Sequence, residues 1–381
     1  MGHSPIYLFI EVGNGVPYGG TKARGIIMER ILVINPGATS TKIAVFDGEQ
    51  PVFKKTMEHH GDDLKKFDRI YAQRDYRREL VLTALAEAGV QLASLSAVVG
   101  RGGLMKPLTS GTYTVNEKMV HDLEFAAQGE HASNLGAALS LDLAKQLKIP
   151  AFIVDPVSVD ELEPVARISG LPELPRVSLV HALNHKAVAR KVAAAKGRRY
   201  QDLNLVVAHL GTGISVAAHA KGRMIDVSNG KDEGAFSPDR CAGLPSTLLM
   251  KLCYSGKYTL KELALKTMGE GGMYAYLGTR DVRTAEQMAA AGNEQASLVL
   301  DAMAYQVVKE IGAMASVMAG EVDYIVLTGG IAYSQRIVGA VESRVKFIAP
   351  VEVVPGEEEL ESLAGGALRV LRGEEKAKIY E

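Results

Sequence analysis

The stretch Ile31 to Asp47, I-L-V-I-N-P-G-A-T-S-T-K-I-A-V-F-D, constrains the fold of this chain more than any other. Ile31 to Ile34 and Ile43 to Phe46 are short, apolar and rich in β-branched residues, which predicts two strands. Between them Asn35, Pro36, Gly37, Thr39, Ser40, Thr41 and Lys42 crowd into one bend. Such a turn can present backbone N–H groups, hydroxyls and an ammonium on one side, the donor set that suits a polyphosphate. In isolation an ordinary hairpin with a polar turn reads the same way. The difference comes from Leu203 to Ala218, which repeats the design with His209-Leu210-Gly211-Thr212-Gly213 as its turn. A dinucleotide-binding reading fails there: Val216 stands where G-x-G-x-x-G needs its last glycine, and a strand follows instead of a helix. Two phosphate-type hairpins imply duplicated domains facing one cleft.

At 381 residues the chain is too long for one ordinary core, so roughly two domains are expected. An apolar fraction of 47% with 23% charged residues predicts a globular protein. The net charge of −1 gives no electrostatic case for nucleic acid or an anionic membrane. Cys241 and Cys253 lack C-x-x-C spacing, which argues against a disulfide framework and a zinc site and fits a reducing cytoplasm. No apolar run reaches the roughly 18 residues that a membrane span needs.

Residues 1–27 read differently from the rest. Ile6 to Val12 resembles one strand, but no basic segment precedes it, Glu11 interrupts it and no A-x-A site follows, so a secretory signal is rejected. Gly15 to Lys22, G-V-P-Y-G-G-T-K, imitates a phosphate loop with Thr21 and Lys22 transposed, and no helix pattern follows; it is a decoy. Met28 is expected to be the native start, with the leader a mis-assigned start or an added extension.

Further along, residues 60–95 are charged and helix-patterned, with Leu80, Leu82, Leu85 and Val90 as the expected buried stripe. A strand at Ala97 to Val99 ends in G-R-G-G, where Arg101 is either salt-bridged or an anion clamp. Gly129 to Leu139 opens a helix to about Leu147; its start at His131, Ser133 and Asn134 is capping or cleft floor, with capping preferred for Ser133. Pro150 to Pro156 reads as a buried strand ending in Asp155, the end where open α/β sheets place chemistry; a loop cap is the alternative. His181 and His185 share a helix face without the glutamate of a zinc helix, so one is expected to be catalytic and the other structural. The Gly234 to Gly243 loop carries Asp239 and Arg240. Residues 259–320 are mostly helical, with core methionines. Tyr324 to Ser334 is a strand entering Gly329-Gly330, a turn that a flat ligand can approach closely. Val351 to Val354 is a last strand, followed by three acids that open a helix.

Together, I-N-P-G-A-T-S-T-K, V-V-G-R-G-G-L, V-D-P-V, H-A-L-N-H-K, A-H-L-G-T-G-I-S, V-L-T-G-G-I and G-G-A-L-R-V-L-R-G-E-E-K resemble the butyrate kinases. These are relatives of acetate kinase in the superfamily of acetate and sugar kinases, Hsp70 and actin. The resemblance runs in order from Met28 to the C-terminus. It implies an α/β fold of two ribonuclease-H-like, actin-like ATPase domains, with mixed sheets flanked by helices and a cleft between. The implied division is a leader at 1–27, an N-terminal acyl-kinase domain at 28–155 plus 357–381, and a C-terminal nucleotide-binding domain at 156–356. The implied partners are ATP or ADP with Mg2+ and a small acid, butyrate or a branched C4–C5 acid. Nucleic acid and membrane are not expected as partners; a homo-oligomer, dimer or higher, is.

The resemblance also implies roles. Asn35 and Lys42, with Ser40 in the same turn, lie near phosphates and metal; Asp155 is the cleft aspartate and His181 steadies the transferring phosphoryl group. His209, Gly211, Thr212 and Gly213 form the second phosphate loop, and Gly329, Gly330 and Ile331 the adenosine site. Glu359 is linked to magnesium, with its register uncertain by one among three acids. Arg101 matches a family arginine in neighbourhood rather than register, and Arg240 sits in a loop of different spacing. Val180 replaces the bulky aromatic of acetate kinases before the histidine, which favours a longer alkyl tail. Other readings are a kinase for isobutyrate, propionate or acetate, a sugar kinase in which Asp155 is a general base, or a non-catalytic nucleotide-binding member.

Overall fold

The computed structural model describes residues 28–381. The expectations for the leader and for Gly15 to Lys22 lie outside the described residues. In chain order the first strands are β1 (Arg30–Pro36), β2 (Ser40–Asp47), β3 (Gln50–Glu58), β4 (Ala97–Arg101), β5 (Thr112–Thr114) and β6 (Ala151–Val154). They are followed by β7 (Asn204–Leu210), β8 (Ile214–Ala220), β9 (Arg223–Ser228), β10 (Tyr324–Gly329), β11 (Val351–Pro355) and β12 (Lys378–Ile379).

These strands form two sheets, ordered β12-β5-β6-β4-β1-β2-β3 and β11-β10-β7-β8-β9. Within the first, β3-β2-β1-β4-β6 repeats β9-β8-β7-β10-β11 of the second in order and direction. In each, the second strand alone runs antiparallel to the others. This is the duplicated ribonuclease-H-like α/β arrangement expected from the two hairpins.

The unbroken apolar runs follow from helices covering both faces of each central strand. Leu32 and Ile34 of β1 face a core with the helices Arg74–Glu87 and Leu135–Leu147. Ile31 and Val33 face Leu363, Ala364, Ala367 and Leu368 of the C-terminal helix Glu359–Leu371. In the second sheet, Val206 and Ala208 of β7 pack with the long helix Glu294–Val317, including the expected core Met303 and Met314. Leu205 and Val207 pack with Val188, Ala189 and Val192 of the helix Ala182–Ala195. Among the described residues no helix is long and apolar enough to cross a membrane.

Several expectations need correction. The buried face of the helix Arg74–Glu87 is Arg77, Val81, Ala84 and Leu85; Leu80, Leu82 and Val90 are half-buried at its margin. Ser133 does not cap: the His131 ring accepts a hydrogen bond from the Ser133 N–H, and Asn134 Oδ1 accepts from Leu104 N–H at 2.9 Å. β3 carries no readable alternation because it is an edge strand with most residues exposed.

Arg77 is the unexpected member of the core. Its guanidinium is fully buried and donates to the carbonyls of Gly37 at 2.9 Å, Ser40 at 3.1 Å and Ala38 at 3.3 Å, and to Gln73 Oε1 at 2.8 Å. It therefore grips the first turn through these carbonyls, of which that of Ser40 also accepts from Gly37 N–H at 2.7 Å. Burial pushes its pKa down to about 10, still far above neutrality. Arg77→Met should cost roughly 2–4 kcal/mol, because several buried acceptors lose their donor at once. A urea-denaturation midpoint matching wild type would show that the grip contributes nothing.

Candidate active site

The carboxyl ends of the parallel strands from both sheets meet at one cleft, the location favoured for chemistry in open α/β sheets. A cavity of about 260 Å³ there is lined by residues of both halves, among them Arg101, Asp155, His181, His209, Arg240 and Glu359. On the first wall, β1 brings Asn35 to the cleft and β4 brings Arg101. Asn35 Nδ2 donates to Glu359 Oε2 at 2.6 Å, and Arg101 Nη1 lies 3.1 Å from Glu359 Oε1. Asn35 itself is 3% exposed, so its amide is committed to this contact. Of the three consecutive acids, Glu359 is thus the one that faces Asn35 and Arg101. Glu358 pairs with Lys191 at 2.9 Å and Glu357 lies 3.1 Å from His209.

Asp155 follows β6 with a φ of 38°, in the left-handed region that a β-carbon disfavours. Its carboxylate accepts from Ser110 Oγ at 2.6 Å, Gly111 N–H at 2.8 Å and Arg190 at 3.2 Å. Burial opposes its charge, but Arg190 and these donors outweigh that and hold the carboxyl below its usual range. Asp155 borders the cavity with its oxygens already engaged, so the loop-cap reading describes its carboxylate.

The second wall is built from histidines. The rings of His181 and His209 stack at 3.9 Å between centroids. His181 Nδ1 contacts Ser215 Oγ at 3.0 Å, and His209 Nδ1 contacts Asn184 Oδ1 at 2.8 Å. His209 Nε2 is buried without an aligned hydrogen-bond partner, although Glu357 Oε1 is 3.1 Å away. An unpaired buried ring nitrogen at a cavity is the kind of group that a ligand completes. Arg240 reaches the same cavity, and a β-carbon on Gly213 would sit 2.6 Å from its Nη1. Gly213 is therefore the residue that lets the guanidinium pass. Burial, with the neighbouring His209, Arg240 and Arg101, pushes His181 well below its usual pKa, so it is neutral at pH 7.

The cavity lining also includes the apolar side chains of Leu104, Pro156, Val157, Leu179, Val180 and Met268. A second cavity of about 740 Å³ adjoins through Glu357, bounded by Gly211, Thr212, Gly330, Ile331 and Tyr333. Gly329, at φ 90°, underlies it; a β-carbon there would lie 2.4 Å from the Leu210 carbonyl oxygen. The glycine turn thus brings the end of β10 against β7 and leaves a broad, flat recess above.

The structure brings together at the two cavities Arg101, Asp155, Val180, His181, His209, Gly211, Thr212, Arg240, Gly330, Ile331 and Glu359, with Asn35, Gly213 and Gly329 directly behind. Ser40 and Lys42, expected in the turn, belong instead to β2, where Lys42 pairs with Asn35 of β1; they lie outside both walls, Lys42 exposed. Sequence reading missed Asn184 and Ser215, which orient the histidines, and Arg190, which neutralises Asp155. A signal existed for Asn184, which is three residues after His181 and so on nearly the same helix face.

His185 and His219 are fully buried behind His181, and both are pushed well below the ordinary histidine value, chiefly by burial. Depressed histidines contribute stability that is complete above pH 6.5 and lost as pH falls, because the unfolded chain takes up protons that the folded chain refuses. Urea denaturation should therefore show stability falling by up to about 1.4 kcal/mol per pH unit per such histidine below pH 6.5. His219→Phe should flatten that slope; an unchanged slope would contradict the burial argument.

A profile of the acetokinase family matches residues 176–353. The chain is 51% identical over 355 residues to "Butyrate kinase 1" of Clostridium acetobutylicum, covering 93% of this chain and 100% of that protein. The fold is similar to acetate kinase from Porphyromonas gingivalis, with a TM-score of 0.74 at 20% identity over 90% of this chain and 100% of that one. It is also similar to a propionate kinase from Francisella tularensis, with a TM-score of 0.71 at 19% identity over 88% of this chain and 98% of that one. At such identities these two structures speak for the fold alone, whereas the Clostridium relative matches along its whole length. The chain belongs to the acetokinase family.

Proposed function

We propose that the chain is a butyrate kinase, transferring the γ-phosphoryl group of ATP directly to the butyrate carboxylate, to give butyryl phosphate and ADP, and catalysing the reverse. The full-length identity to a relative bearing that name carries the reading, and a cavity lined by both apolar side chains and two arginines is in keeping with it. A carboxylate is already ionised at neutral pH, so the reaction needs no general base. What it needs is alignment of two anions and neutralisation of charge on the phosphoryl oxygens. Arg101 and Arg240, both lining the cavity, would supply the positive charge. His181, neutral, would donate a hydrogen bond to the phosphoryl group. Asp155 would act as an anchor for Arg190 and the Ser110–Gly111 loop rather than as a base.

The recess at Gly330 and Ile331 suits the adenosine, with the second turn under the phosphates; Ser40 and Lys42, outside both cavity walls, would approach them from the start of β2. Magnesium prefers hard oxygen donors and keeps most of its waters, so one carboxylate and one amide beside the nucleotide suffice. Glu359 and Asn35 would hold it, and when bound it would offset charge on the phosphates. We place the lobe boundaries near Asp155 and Glu357. Assembly as a homo-oligomer fits the helices Ser246–Cys253 and Leu260–Thr267, which bury no residue and expose Leu248, Met250, Leu260 and Leu265. A reducing, cytoplasmic location fits the unpaired Cys241 and Cys253.

The test is acyl-hydroxamate formation from ATP, magnesium, hydroxylamine and a panel of C2 to C5 acids. A maximum at butyrate is expected; no product from any acid, with ATP binding intact, would overturn the kinase reading. Val180→Phe should raise KM for butyrate more than for acetate. The difference should be up to roughly 15-fold, since butyrate has two more CH2 groups at about 0.8 kcal/mol each. Equal effects on both acids would remove Val180 from the pocket argument. Arg101→Ala should lower kcat/KM by at least about 100-fold, as loss of a preorganised charge does; an unchanged value would exclude it from the site.

A further inference from the structure

Behind His181, four buried side chains form a hydrogen-bonded line on which phosphoryl transfer makes no direct demand. Ser215 Oγ lies 3.0 Å from His181 Nδ1 and 3.0 Å from His185 Nε2. His185 Nδ1 is 3.4 Å from His219 Nε2, and His219 Nδ1 is 2.6 Å from the Tyr200 hydroxyl. His185 and His219 are fully buried, and Ser215 and Tyr200 nearly so. Both ring nitrogens of His185 and of His219 are used within the line. Burial and the cations Lys186 and Arg190 near its inner end keep these rings neutral. A neutral imidazole has one N–H and one lone pair, so each ring passes the polarity of its neighbour onward.

That polarity is decided at Tyr200. Its phenol keeps its proton, because burial disfavours the phenolate. Among the described residues its hydroxyl has one hydrogen-bond partner, His219. If His219 donated to it, the phenolic O–H would have no acceptor among the described residues. The satisfied arrangement has Tyr200 donating to His219 Nδ1 and His219 Nε2–H donating to His185 Nδ1. In turn His185 Nε2–H donates to Ser215 Oγ, and Ser215 O–H donates to His181 Nδ1. The single proton of His181 then sits on Nε2, which no described protein group engages, on a ring that lines the cavity.

We infer that Tyr200, His219, His185 and Ser215 are positioning residues that lock His181 in its Nε2–H tautomer, so that it offers the cleft a donor and never a lone pair. The purpose of this device rests on the phosphoryl-transfer reading; the tautomer itself does not. Long-range 1H–15N correlation on 15N-histidine-labelled protein, with His181 assigned by its loss in His181→Gln, should show Nε2 protonated and Nδ1 bare. Tyr200→Phe and Ser215→Ala should mix the tautomers and lower kcat roughly 10- to 100-fold, the usual cost of losing an orienting partner, with KM for ATP and acid within about twofold. Ser215→Thr, which keeps the hydroxyl, should restore both. If Ser215→Ala does not fold, Tyr200→Phe carries the comparison. A wild-type His181 protonated on Nδ1, or variants with tautomer and kcat unchanged, would overturn the inference. The expected tautomer in a protein inactive on every acid would support the line while sinking the kinase reading.

Discussion

The cleft depends on one carboxylate. Glu359 accepts from Asn35 at 2.6 Å and lies 3.1 Å from Arg101, and these three residues arrive from β1, β4 and the start of the C-terminal helix. Without Glu359, Asn35 would be a buried amide with an unmet donor, and Arg101 would lose the counter-charge that holds it at the cavity rim. The same helix packs Leu363, Ala364, Ala367 and Leu368 against the first sheet, so its burial energy fixes where that carboxylate sits. Packing and electrostatics of the first wall are therefore one problem with one solution.

The second wall solves its own problem differently. It relies on rings held by hydrogen bonds, with His181 and His209 stacked and each oriented through Nδ1 by Ser215 or Asn184. Keeping His181 neutral beside Arg240 and Arg101 avoids the desolvation that a further charge would cost. The outcome is a cavity in which arginines supply charge and histidines supply direction. Such division suits a reaction between two anions, where excess fixed charge would trap substrate and too little would fail to bring it in.

The sequence was informative where chemistry demands local signatures. Both hairpins, the glycine turn at Gly329-Gly330 and the His181 helix are contiguous patterns, because strand-turn-strand geometry needs its glycines and polar residues side by side. What it concealed are contacts made at a distance. Asn35 and Glu359 are 324 positions apart, and only the family resemblance, which set both beside the metal, brought them together. Arg77 looks like one of several charges on an amphipathic helix, yet it is fully buried and donates to the carbonyls of the first turn, contacts that no local pattern reveals. Asp155 was legible as a strand-end acid, but its partners Ser110 and Arg190 come from separate segments. The edge strand β3 was hidden because exposure on both faces removes alternation. Tyr200 and His219 carry no motif at all; their meaning appears only once β8 sets Ser215 between two histidines.

Transfer between acid and nucleotide is direct in the proposed mechanism, since no step in it requires a phosphorylated protein group. The stereochemical course at phosphorus tests it most directly, using ATP made chiral at the γ-position with sulfur and oxygen isotopes and reading the configuration of the acyl thiophosphate. Net inversion is the predicted result, as one in-line displacement across the cavity must give. Net retention would contradict it, and would point to a phosphorylated intermediate on a residue such as His181 or His209.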